Sequence, residues 1–195
     1  MIMMMLMAKT AARRLCSALG LLLAITVGAA AGETFSIQAR GAYFVPSEAV
    51  FKEIYGEGPV YGAEISLKII GGLSIWAGGS YFNKTGKLTF TEESTTMTLI
   101  PVFGGLQYQF LSGRIRPYIG AGAGYILYKE ENPIGKVEDG GLGFMGRAGV
   151  RVLIAGPLFL DLQGSYSMCK VKPAGIEADL GGINAGVGLG LQFQP

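Results

Sequence analysis

Histidine is absent from the 195 residues, and cysteine occurs only twice, at Cys16 and Cys169. A serine hydroxyl is a weak nucleophile without a neighbouring base, so the missing imidazole excludes the hydrolases and acyltransferases that rely on His. It also leaves a metal only hard oxygen ligands. No catalytic residue, cofactor or metal site is expected. Charge is sparse as well, with Asp, Glu, Lys and Arg at 15%, and no basic cluster exists to neutralise nucleic-acid phosphates. Beyond residue 31 no run of 18 apolar residues occurs, which excludes a transmembrane helix.

What is abundant is apolar or small. Hydrophobic residues make up 50% of the chain and glycine fills 32 positions without collagen's period of three, so an ordered chain is expected. At the start, Lys9, Arg13 and Arg14 precede an apolar run from Leu15 to Val27 and the small residues Gly28, Ala29, Ala30 and Ala31. That order predicts a secretory signal over residues 1–31, cut near Ala30 or Ala31, because the run is shorter than the ~20 residues that span a bilayer. Residues 32–195 then form a single domain. Cys169 is its sole cysteine, expected as a small buried residue.

The remaining chain alternates. Residues 34–45 set Phe35, Ile37, Ala39, Tyr43 and Val45 against Ser36, Gln38 and Arg40, the period of two that marks a strand. The pattern returns at 60–69, 142–154, 158–168 and 183–193, and weaker segments at 72–82, 97–110 and 117–129 bring the expected strands to eight. Short turns at 70–72, 111–116 and 155–157 alternate with long polar connections at 46–58, 83–95, 130–140 and 170–178, which carry more than half of the charges beyond residue 31. An even strand count with unequal ends predicts an all-β fold, an eight-stranded antiparallel up-and-down transmembrane β-barrel without open edges.

A soluble barrel has the same period, so the content of the polar face decides its direction. That face is mainly Gly, Ser and Gln, unlike the Lys, Glu and Thr of a surface in water, and small residues suit a narrow lumen. The apolar face is therefore expected outward. Tyr43, Tyr61, Tyr81, Tyr108, Tyr118, Tyr128, Tyr166 and Phe193 near strand ends are expected at the lipid–water boundary. Arg40, Lys68, Arg147 and Arg151 share the inward parity with Glu64 and Asp161. Buried charges are costly unless paired, which predicts a lumen ion-pair network, either a structural plug or a gate. The pairs Glu92-Glu93, Glu130-Glu131 and Glu138-Asp139 read as solvated loop charges. Thr-rich alternation over residues 84–98 predicts that strands three and four continue past the membrane as a projecting hairpin. Leu88, Phe90 and Met97 would mark an edge for docking an extended partner.

At Pro101-Val102-Phe103-Gly104-Gly105-Leu106-Gln107-Tyr108-Gln109-Phe110, and at Arg116-Pro117-Tyr118-Ile119-Gly120-Ala121-Gly122-Ala123-Gly124-Tyr125, the chain resembles the outer membrane β-barrel domain family of small OmpA-like, OmpX-like and opacity-type barrels. The resemblance implies a non-enzymatic barrel in the outer membrane of a diderm bacterium, surrounded by outer-membrane lipid and inserted by the barrel assembly machinery. It implies a structural or surface-interaction role, such as adhesion or envelope integrity, with a surface protein as partner. Family members often end in an aromatic residue, whereas here Phe193 is followed by Gln194 and Pro195. No room is expected for the peptidoglycan-binding domain that follows some OmpA-like barrels. A small channel or carrier for ions or hydrophobic ligands through the lumen is the other function class the fold admits.

Overall fold

The computed structural model describes residues 34–87, 94–133, 135–171 and 178–193. In chain order the elements are β1 (Phe35–Pro46), α1 (Ala49–Tyr55), β2 (Gly58–Ile70), β3 (Leu73–Lys87), β4 (Ser94–Gln109), β5 (Ile115–Asn132), β6 (Gly135–Ala155), β7 (Leu158–Met168), β8 (Lys170–Val171), β9 (Ala178–Asp179) and β10 (Gly182–Phe193). Eight antiparallel strands close a barrel in the order β1-β10-β7-β6-β5-β4-β3-β2, and β8 and β9 form a separate small hairpin. Closure comes from β1 and β10, paired in one unbroken register from Phe35↔Phe193 to Pro46↔Gly182. The turns at Gly71 and Gly156 need left-handed backbone, with φ of 56° and 53°, which glycine adopts without strain.

Every expected strand is present, but the connections differ from expectation. The described residues of segment 83–95 are strand, in line with the hairpin expected over 84–98, and segment 130–140, expected as a polar connection, is mostly strand: β3 and β4 pair as far as Lys87↔Ser94, and β5 and β6 as far as Asn132↔Gly135. Polar cross-strand pairs hold these extensions, among them Asn83 to Thr98 at 2.8 Å and Thr85 with Thr96 at 3.1 Å. Pairing of β2 with β3 stops at Tyr61↔Tyr81, and that of β6 with β7 at Phe144↔Met168. Strands β3 to β6 thus stand taller than the rest at the long-loop end. Connection 46–58 contains the helix α1, which the alternation does not announce. Leu88, Phe90 and the segment 1–31 lie outside the described residues.

The outer wall is apolar: Leu142 is 74% and Phe144 63% exposed, alongside Ile37, Leu106, Ile119, Val187 and Leu189. A continuous surface of this kind is stable against hydrocarbon, not water. Tyr43, Tyr61, Tyr81, Tyr125 and Tyr166 point outward toward the long-loop end, and Tyr108, Phe110 and Phe193 toward the short-turn end, as two girdles. Tyr118 and Tyr128 correct the expectation for the belt, since both face the lumen and are buried. Their positions share the parity of the inward Gly120, Gly122 and Gly124 on β5, so strand position alone misplaces them.

Candidate functional site

The lumen is filled in two zones. Toward the short turns, Glu64 on β2 is the hub. The Arg147 guanidinium on β6 donates to its Oε2 at 2.6 Å, and Arg40 on β1 lies 3.6 Å away. Arg147 also donates to Gln107 on β4 and stacks on Trp76 of β3, 3.7 Å from the ring centroid. Arg40 donates to Gln163. Tyr118 of β5 donates to both Asp161 oxygens at 3.0 Å, and Asp161 is the register partner of Arg151. Arg151 covers the Phe159 ring at 4.2 Å and reaches Ser36 at 3.5 Å. Charged groups this deeply buried persist because each has a partner or an aromatic face.

Glycines make this packing fit. A Cβ added at Gly122 would lie 2.8 Å from the Trp76 ring, and one at Gly149 would lie 2.6 Å from Tyr118. The bare wall positions are where the large rings sit.

Toward the long loops the lumen is apolar. Phe44, Val60, Phe82, Leu99, Phe103 and Ile126 converge from five strands, with Phe44 and Phe82 edge to face at 5.3 Å. Helix α1 closes this end, burying Phe51 and Tyr55. The Tyr55 hydroxyl donates to Glu130 at 2.8 Å and lies 3.4 Å from Thr95. Burial pushes the Tyr55 phenol above its ordinary range; the Thr95 hydrogen bond pulls the other way and Glu130 adds to the rise. Between the two zones lies a cavity of about 40 Å³ bordered by Arg40, Gln163, Phe44 and Phe103, little more than room for a water or two.

The expected lumen residues divide accordingly. Arg40, Glu64 and Arg147 are joined directly, and Arg151 and Asp161 sit beside them. Lys68 has the inward parity but lies exposed at the short-turn end of β2, outside the cluster. Met97 is only 5% exposed and has β3 on one side and β5 on the other, so it offers no edge for docking. Glu130 corrects the solvated-loop reading because it faces inward to hold Tyr55, whereas Glu131 faces outward and pairs with Lys129 at 2.6 Å. Cys169 is buried, as a small packed residue. Sequence reading missed Arg116, which reaches across the short-turn mouth to Gln192 at 3.3 Å. It also missed Trp76. Among the described residues, no three Asp, Glu or Cys side chains gather to hold a metal.

No protein-family model and no curated protein matches the chain. Solved structures do. The outer membrane protein OprG from Pseudomonas aeruginosa superposes with a TM-score of 0.65 at 13% identity, over 85% of this chain and 97% of that one. Neisserial surface protein A gives 0.61 at 16% identity, over 82% and 97%. The attachment invasion locus protein Ail of Yersinia pestis, in complex with the heparin analogue sucrose octasulfate, gives 0.56 at 13% identity, over 83% and 99%. The chain has the fold of these small eight-stranded barrels.

Proposed function

We propose that this chain is an outer-membrane barrel of structural and surface-interaction type, without enzymatic activity, delivered by the signal over residues 1–31 and inserted by the barrel assembly machinery. The observation that carries this reading is the division of labour in the barrel. The wall is suited to lipid and the lumen is packed with side chains, while β3 to β6 rise as a polar, paired wall at the long-loop end. In such barrels short turns face the periplasm and long loops the exterior, which puts the raised wall on the cell surface. The similar barrel Ail is named for attachment and invasion, and neisserial surface protein A for its place at the surface; adhesion or envelope integrity is the corresponding role here. The tagged chain is expected in the outer-membrane fraction, heat-modifiable on gels, with external protease cutting between β3 and β4. Recovery as a detergent-free periplasmic protein overturns the reading.

The carrier reading rests on the central cavity, whose apolar ceiling of Phe44 and Phe103 faces the polar Arg40 and Gln163. Planar-bilayer conductance that changes in Arg147→Met supports it, and silent bilayers together with no uptake of a hydrophobic probe remove it.

A further inference from the structure

Charge is unevenly placed along the barrel axis. At the short-turn end the described residues include Lys68, Arg114 and Arg116 but no Asp or Glu. One layer inward, Arg151 is the cross-strand partner of Arg116, so two guanidinium groups stand side by side facing the lumen. Like charges in register repel. Glu64 serves Arg147 and Arg40 deeper in the lumen. Asp161, the cross-strand partner of Arg151 on its other side, accepts from Tyr118 and balances one of the two guanidiniums, which leaves the other in excess. Among the described residues, Arg116 donates to neutral acceptors, Gly113 O at 2.7 Å and Gln192 at 3.3 Å. Arg151, 5% exposed, keeps its buried Nε without a hydrogen-bond partner. The neighbouring Ser36 and Ser66 hydroxyls, 2.6 Å apart, add small neutral donors.

We propose that this mouth is a binding site for a small multivalent oxyanion of phosphate type, held between Arg116 and Arg151 and entering from the short-turn side. An oxyanion relieves the repulsion between the two guanidiniums, and their planar forks each match a pair of its oxygens, which a spherical halide does not. The low dielectric of the lumen and surrounding lipid strengthens the attraction relative to a surface pair.

The test uses the refolded barrel in maltoside micelles, which contain no phosphate, with inorganic phosphate as the probe and ³¹P line broadening and calorimetry as readouts. Saturable binding is expected, not reproduced by chloride at equal ionic strength. Because Arg116 is only partly buried, Arg116→Gln keeps the heat-modifiable gel mobility of the folded barrel and weakens binding at least tenfold. Arg116→Lys, which keeps the charge and loses the fork, gives a smaller loss. Nanodiscs containing phosphatidylglycerol separate a free anion from a lipid headgroup. Unchanged binding of inorganic phosphate there supports the luminal site. Broadening of the lipid phosphorus alone, no saturable binding by the folded wild-type barrel, or equal binding by Arg116→Gln overturns it.

Discussion

Toward the short turns the lumen is filled by Arg147, Glu64, Tyr118 and Asp161, and toward the loops by Phe44, Phe82, Leu99 and Phe103. Both zones occupy the same narrow tube, yet they depend on different properties of their side chains. The polar zone requires each charge to keep a named partner, because burial makes an orphaned ion expensive. The apolar zone requires volume, because dispersion and water exclusion have no direction. Partner loss should therefore break the first zone and cavity formation the second.

The largest effect is expected from Glu64→Ala, which strands Arg147 and leaves Arg40 without its carboxylate. A loss of about 3–5 kcal/mol in urea unfolding from lipid vesicles is expected, because both partners of the pair are buried. The double variant Glu64→Leu with Arg147→Met should recover much of it, since apolar replacement of a whole pair is often tolerated. Failure of that recovery would mean that the polar zone owes its stability to more than pairing. Phe82→Ala in the apolar zone should cost about 3 kcal/mol through the cavity it leaves, with no change in salt dependence.

Next in size, Gly122→Ala pushes a methyl against the Gly104 carbonyl and the Trp76 ring and should cost about 1–3 kcal/mol as overpacking. Trp76 is the only tryptophan in the chain, so its emission reports this displacement directly, while Gly41→Ala, with open space around its Cβ, leaves emission unchanged. Tyr55→Phe should cost about 1 kcal/mol through the hydrogen bond to Glu130 and loosen α1. The phenol's raised pKa in the folded state adds stability that is complete below the ordinary tyrosine pKa of about 10 and fades as pH rises beyond it. The gap between wild type and Tyr55→Phe should thus narrow above that pH in parallel unfolding curves. Lys129→Gln is expected to leave the unfolding midpoint where it was, because its pair with Glu131 is exposed to water.

Much of this fold was legible because a strand repeats every two residues. Parity alone put Arg40, Glu64, Arg147 and Arg151 on one side of the wall, but it could not name partners. Glu64 and Arg147 meet across the lumen from β2 and β6, a relation that needs the shear of the closed barrel. Arg116 was missed because alternation places the strand start at Pro117, two residues after its true start at Ile115. Trp76 was missed because the segment around it, Leu73-Ser74-Ile75-Trp76-Ala77, is apolar on both parities at its centre. Helix α1 left a fainter signal in Phe51 and Tyr55, four residues apart on one face. In a connection rich in charge, that spacing was outweighed by the polar composition around it. Thr-rich alternation made the rise of β3 and β4 legible, whereas the extension at 130–140 was obscured because its charged residues, Glu130, Glu131, Lys136, Glu138 and Asp139, carry the composition of a loop while they pair strands.

Because β3 to β6 are the barrel strands that rise among the described residues, rotation about the membrane normal no longer leaves the barrel's outline the same. The molecule has a front, where the parapet stands, and a back, where β7, β10, β1 and β2 end low. A neighbour drifting in the plane of the bilayer meets a different silhouette on each approach, so its encounters with this protein carry a compass bearing as well as a depth.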